Sequence, residues 1–145
     1  MQRLDYANAS PAAYQAMLGL ERHVRACGLE PSLLELVRLR ASQLNGCAFC
    51  VDMHARDARA GGEAERRLYA LPVWREAPFF TARERAALAW TEALTLVAQH
   101  PDLDPPYAAL AQHFDEKERV DLTLAIGAIN TWNRIAVGFG AQPAD

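Results

Sequence analysis

Cysteine is scarce, with three in 145 residues. So few cannot build the disulfide framework of a small secreted domain. Glycine and proline number eight each, and neither gathers into a linker or a low-complexity tract. Strict polar–apolar alternation is missing, so nothing reads as a half-buried strand. Charge of one sign is not in excess: 15 basic and 18 acidic residues leave a formal net charge of -3. With no long basic run, neither nucleic acid nor an anionic membrane is an expected partner. The longest apolar stretch, Leu122 to Ile129, is interrupted by Thr123 and Gly127 and flanked by Asp121 and Asn130. It falls well short of the roughly 20 residues a bilayer span needs. The opening MQRLDYANAS lacks the apolar core of a signal peptide, and the expectation is a cytoplasmic protein.

What is present is helical periodicity. Hydrophobic residues make up 51% of the chain, enough for a core in one domain spanning 1–145. Residues 1–9 read as an extended arm. Ser10-Pro11 is a helix start. Ala13, Met17, Leu20, Val24 and Cys27 then recur at helical spacing until Gly28. A second helix is expected from Pro31 to Asn45, with Leu33, Val37, Ala41 and Leu44 on one stripe. Glu35 lies off that stripe, on the side of Arg38, Leu39 and Ser42. Asn45-Gly46 is a stop signal, and a third helix runs from Cys47 to Ala60. A short charged helix (63–71) and a loop (72–80) follow, the loop aromatics Trp74, Phe79 and Phe80 packing on the body or a neighbouring subunit. Thr81 with Glu84 reads as a capping box, opening a helix with Ala86, Trp90, Ala93, Leu94 and Val97 on one face. Asp104-Pro105 starts another, through about His113. Asp115 with Glu118 opens the last helix, which runs to Val137 or Gly138. That helix is apolar nearly all round, which favours burial on every side and a helix shared with another subunit.

The stretch Glu35 to His54, ELVRLRASQLNGCAFCVDMH, gathers more reactive groups than any other. At about 100° per residue, Cys47, Cys50 and His54 fall within an arc of roughly 60° and face one way. Cys47 sits at a helix N-terminus, where unpaired N–H groups favour the thiolate. Spacing by three lets the two sulfurs form a disulfide with little rearrangement. His54, one turn past Cys50, can share a proton with it directly or through water. Glu35, from the preceding helix, is the candidate carboxylate to orient that imidazole. Rival readings stand beside this one. Zinc would need a fourth ligand, and a second Cys pair is absent. On spacing alone Glu35 reads as a surface partner of Arg38, and His54 also reads as a surface histidine beside Asp57. Cys27 reads as a small buried hydrophobe.

Glu35, eleven residues, Cys47-Ala-Phe-Cys50, three residues and His54 resembles the core motif of the alkylhydroperoxidase D (AhpD)-like family. That family lies within the carboxymuconolactone decarboxylase superfamily. The segment from Phe80 to Leu88 and the run Asn130-Thr131-Trp132-Asn133-Arg134 are similar to later parts of the family, so the likeness covers the chain from about residue 31. The resemblance implies an all-α, AhpD-like helical bundle, oligomeric (dimer, trimer or hexamer) around a shared helical core. It implies that Cys50 attacks an organic hydroperoxide, Cys47 resolves the product, and Glu35 and His54 relay protons to Cys50. A thiol or dithiol, protein or small molecule, is the implied reductant, with neither cofactor nor metal. Physics alone would make Cys47 the more acidic thiol; the family pattern assigns the attack to Cys50. The best-studied pattern has a histidine just before the second cysteine, where this chain has Phe49. The alternatives are a redox-sensing or general thiol–disulfide protein using the same pair, or a decarboxylase-type enzyme of the wider superfamily. Decarboxylation needs no dithiol.

Overall fold

A computed structural model describes residues 1–144. It contains eight α-helices and, among the described residues, no strand. In chain order they are α1 (Tyr6–Ala9), α2 (Pro11–Ala26), α3 (Pro31–Leu44), α4 (Ala48–Ala60), α5 (Glu65–Ala70), α6 (Ala82–Thr95), α7 (Asp104–Ala111) and α8 (Glu116–Phe139). Two single 3₁₀ turns, Leu71–Val73 and Val97–Gln99, complete the set.

The helix starts follow local chemistry. Pro31 opens α3, where its missing N–H costs nothing. Asp115 caps α8 with a complete box: Glu118 N–H donates to Asp115 Oδ1 at 2.8 Å, and Asp115 N–H to Glu118 Oε2 at 2.9 Å. At Thr81 only half of the expected box forms. Glu84 N–H donates to Thr81 Oγ1 at 3.1 Å, while the Glu84 carboxylate turns to Arg67 at 2.6 Å. A guanidinium holds it more strongly than a backbone N–H would. The expected N-terminal arm contains a helical turn, α1, because the Asp5 side chain accepts from Asn8 N–H. Val97, expected on the inner face of α6, lies beyond that helix and is exposed. The connection after α5 packs on the body: Trp74 and Phe80 are buried, and Trp74 Nε1 donates to Glu92 at 3.0 Å.

The central helix is α3. Leu33, Leu34 and Val37 join a core with Val24, Trp90, Phe114, Leu122 and Ile126. Leu36 and Leu39 face a second core with Leu71, Trp74, Phe80 and Leu88. Its third side carries Glu35, Arg38 and Ser42, at helical spacing, and meets α4 and α8. Expected burial all round α8 is incomplete within one chain. Leu122, Ile126 and Ile129 are buried, but Val120 is 67% exposed and Leu124 and Val137 are also uncovered.

Between α3 and α4 the chain makes a tight elbow. Gly46 turns it with φ +65°, a conformation glycine adopts without Cβ strain. Asn45 Nδ2 donates to Asn133 Oδ1 (2.8 Å) and Asn130 Oδ1 (3.0 Å) on α8. Asn133 Nδ2 donates to Ser42 Oγ (3.0 Å), and Cys47 N–H to Ser42 O (3.0 Å). The elbow is thus tied to α8 by buried polar groups that are expensive to leave unpaired. Asn133→Ala is expected to cost about 1–3 kcal/mol, read as a lowered urea midpoint at unchanged slope. A loss below about 0.5 kcal/mol would show that the tie is dispensable. The uncovered apolar side chains of α8 are where a second copy would pack. Light scattering is expected to report a mass above the 16.0 kDa of one chain. A clean monomer at micromolar concentration would contradict that.

Candidate active site

Cys47 is the N-cap of α4, one residue before the helix proper, and its Sγ accepts from Cys50 N–H at 3.3 Å. The sulfur therefore meets an unpaired N–H of the first turn, the setting expected to favour a thiolate. Cys47 and Cys50 are joined as a disulfide with Cα atoms 5.3 Å apart. Both are deeply buried, at 1% and 2% exposure, and pack with Ala136 of α8, Phe49 and Ala141. Cys27 is the free cysteine, half-buried, its S–H donating to Val24 O at 3.0 Å.

His54 lies on α4 one turn beyond Cys50 and is buried at 8% exposure, so the surface reading fails. Its Nδ1 is 2.9 Å from Glu35 Oε2 across the α3–α4 contact. The two readings of Glu35 coexist, because its other oxygen, Oε1, accepts from Arg38 Nη1 at 2.9 Å. Burial pushes the Glu35 carboxyl up, but the hydrogen bonds and charges of His54 and Arg38 outweigh this and hold it below its ordinary value. An ionised carboxylate only accepts. The shared proton therefore sits on Nδ1, and Nε2 is left as the basic nitrogen.

The Arg38 pair is not the surface contact expected. Arg38 is buried, and its Nη2 donates to Glu21 Oε2 of α2 at 3.1 Å. Glu21 Oε1 in turn accepts from Trp132 Nε1 of α8 at 3.0 Å. Trp132 meets Tyr14 edge-on, with ring centroids 6.2 Å apart. A cavity of about 400 Å³ opens on this face. Cys50, His54, Glu35 and Arg38 line it together with Tyr6, Tyr14, Phe49 and Trp132. Cys47 lines a different cavity, of about 270 Å³, beside Arg3 and Gln142. The two sulfurs are thus reached from separate sides. Among the described residues no hydrogen bond joins Cys50 to His54; they share the cavity wall.

Sequence reasoning did not find Glu21, Tyr6 or Tyr14, and took Trp132 as an apolar residue of the last helix and part of a matching segment. Glu21 stands 17 residues before Arg38, a separation with no helical signature. The one available signal was Arg38 itself, an arginine between Val37 and Leu39 within an apolar run. Glu35, His54 and Asp57 could each offer a ligand atom, all within 4.8 Å of one another. Both Glu35 oxygens are already engaged, however, and the adjacent guanidinium opposes a second cation.

Glu35 makes a pH prediction with a definite sign. Its folded pKa lies below its unfolded value, so its stabilising contribution is present above the ordinary carboxylate range. That contribution is lost as pH falls through the depressed value. Urea melts between about pH 3 and 7 should show stability falling on the acid side, and Glu35→Gln should flatten that fall. An unchanged pH dependence in Glu35→Gln would place the acid loss elsewhere.

Comparison with known proteins places the chain in a family. A model of the carboxymuconolactone decarboxylase family matches residues 11–93, more than half of the chain. The uncharacterized protein YdfG of Bacillus subtilis (strain 168) is 40% identical over 143 residues, covering 99% of this chain and 97% of that one. A crystal structure of a protein of unknown function from Agrobacterium tumefaciens, with a suggested role as the antioxidant defence protein AhpD, superposes with a TM-score of 0.97. It is 48% identical and covers 100% of this chain and 99% of that one. A peroxidase-related protein from Ralstonia eutropha JMP134, described as an alkylhydroperoxidase AhpD core, shares the fold. Its TM-score is 0.83 at 22% identity, over 96% of this chain and 74% of that one. The chain belongs to the carboxymuconolactone decarboxylase family, on its AhpD-like side.

Proposed function

We propose that this protein is a dithiol peroxidase that reduces organic hydroperoxides. The observation that carries the reading is the shared cavity wall. Cys50, the imidazole of His54 and the carboxylate of Glu35 line one space of mixed apolar and charged wall, with Cys47 bonded to Cys50 behind it. In the reduced protein, His54 Nε2 takes the Cys50 proton, directly or through water, and Glu35 balances the imidazolium that results. The Cys50 thiolate attacks the outer oxygen of the hydroperoxide. The O–O bond breaks, Cys50 becomes a sulfenic acid, and the alkoxide leaves as an alcohol with the proton held by His54. Cys47 then attacks the sulfenic sulfur, the disulfide forms and water departs. A dithiol reductant returns two electrons and two protons through thiol–disulfide exchange.

The wall chemistry favours a bulky organic hydroperoxide. Tyr6, Tyr14, Leu18, Phe49, Met53 and Trp132 offer aromatic and aliphatic surface that hydrogen peroxide alone would leave unpartnered. Phe49, where the family pattern has a histidine, adds to that apolar lining and supplies no proton. The reading therefore rests all proton transfer on His54. A thiol–disulfide protein without efficient peroxide turnover is the second reading, and Phe49 is the residue that favours it.

Cumene hydroperoxide with a dithiol reductant is expected to be turned over by wild type and not by Cys50→Ser. Cys47→Ser should stall as a sulfenic acid after one equivalent, trapped by dimedone and seen by mass spectrometry. A wild-type protein that cycles between dithiol and disulfide but consumes no hydroperoxide would establish the second reading instead.

A further inference from the structure

The polar chain that begins at His54 does not stop at Glu35. It continues through Arg38 and Glu21 to Trp132, alternating in sign and crossing four helices. We propose that Arg38, clamped between Glu35 and Glu21, is a positioning residue that sets the basicity of His54 toward Cys50. In this proposal Trp132 holds the far end of the clamp. The inference rests on the relay proposed above and extends it to residues that do not touch the reacting sulfur.

Arg38 is 6% exposed, and a guanidinium so placed is tolerated only when paired. Its two Nη atoms address different carboxylates, Glu35 Oε1 at 2.9 Å and Glu21 Oε2 at 3.1 Å. This fixes the plane of Glu35, whose remaining oxygen must accept from His54 Nδ1 at 2.9 Å. A planar fork can hold two carboxylates in a set orientation; an ammonium gives charge without that geometry. Glu21 is fixed in its turn by the Trp132 indole N–H at 3.0 Å. Electrostatics works in the same direction. With Arg38 removed, Glu21 and Glu35 lose the cation they share. The two carboxylates then repel one another, and Glu35 turns away from Nδ1–H. The imidazolium form of His54 is then less stabilised, and so is the Cys50 thiolate opposite it. The other titratable groups around this cavity are Arg22 and Arg25 of α2, Asp57 of α4, and the phenols of Tyr6 and Tyr14. Among the described residues, Arg22, Arg25 and Asp57 make no ion pair with the clamp. They stay in place in every variant below.

The test is the pH profile of Cys50 alkylation by iodoacetamide in a Cys47→Ser background, which needs no peroxidase turnover. Arg38→Met is expected to slow alkylation at neutral pH by about 10-fold, less than the ~100-fold or more of a lost general base. It should also move the profile to higher pH. Arg38→Lys should recover part of the rate, because charge returns without the fork. Trp132→Phe keeps an aromatic ring and removes the hydrogen bond to Glu21. It should shift the profile the same way by a smaller amount, and it serves as the probe if Arg38→Met fails to fold. Folded Arg38→Met and Trp132→Phe proteins with the parent pH profile would overturn the proposal, leaving Arg38 a structural ion pair. Glu35→Gln in the same assay separates the two layers. If it slows Cys50 while Arg38→Met does not, only the clamp fails. If Glu35→Gln also leaves the profile unchanged, the relay fails and the clamp with it.

Discussion

One hydrogen bond between two helices organises this molecule: His54 Nδ1 to Glu35 Oε2, at 2.9 Å. It leaves Nε2 as the basic imidazole nitrogen, and in the proposed function that nitrogen takes the proton of Cys50. The bond requires α3 and α4 to meet at a fixed angle with Cys50 and His54 on the same side. The elbow at Asn45-Gly46 supplies the angle, and Asn133 and Ser42 hold it. Side chains spaced by three and four along α4 supply the shared side. A loose elbow would leave both cysteines in place and still destroy the acid–base geometry.

Placing a carboxylate, an arginine and a second carboxylate against apolar helices carries a desolvation cost of several kcal/mol per ion. The structure offsets it by alternating the charges and satisfying the ends, Trp132 at one and His54 at the other. The two apolar cores flank α3 on its remaining sides. They keep the helix from rotating to release its charges into water. The resulting order, core on two faces and chemistry on the third, explains how a helix with Glu35, Arg38 and Arg40 can be the central one.

The helix frame was legible because its punctuation is local. Pro31, Asn45-Gly46 and the Asp115–Glu118 pair each act within a few residues, and each marks a boundary where expected. The four-residue α1 was not, since one Asp5 cap between polar residues gives no periodic signal. The Glu35, Cys47, Cys50 and His54 grouping was legible as a spacing, and the structure brings all four to one junction of α3 and α4. What stayed hidden was pairing at a distance. Arg38 with Glu21 and Arg40 with Glu92 are separated by 17 and 52 residues, so the spacing read the Glu35–Arg38 pair as a surface contact. Its apolar residues all round led α8 to be read as buried on every side. Within one chain the most enclosed helix is α3.

The most direct test of the account is a double-mutant cycle on the relay. The rate of Cys50 alkylation against pH would be measured in a Cys47→Ser background for His54→Ala, Glu35→Gln and the pair together. If His54 is the base and Glu35 only orients it, His54→Ala slows the reaction by ~100-fold or more and Glu35→Gln by less. The double variant should then be no slower than His54→Ala alone, because residues acting as one unit fail together. Losses that multiply, or profiles that do not move, would contradict the account.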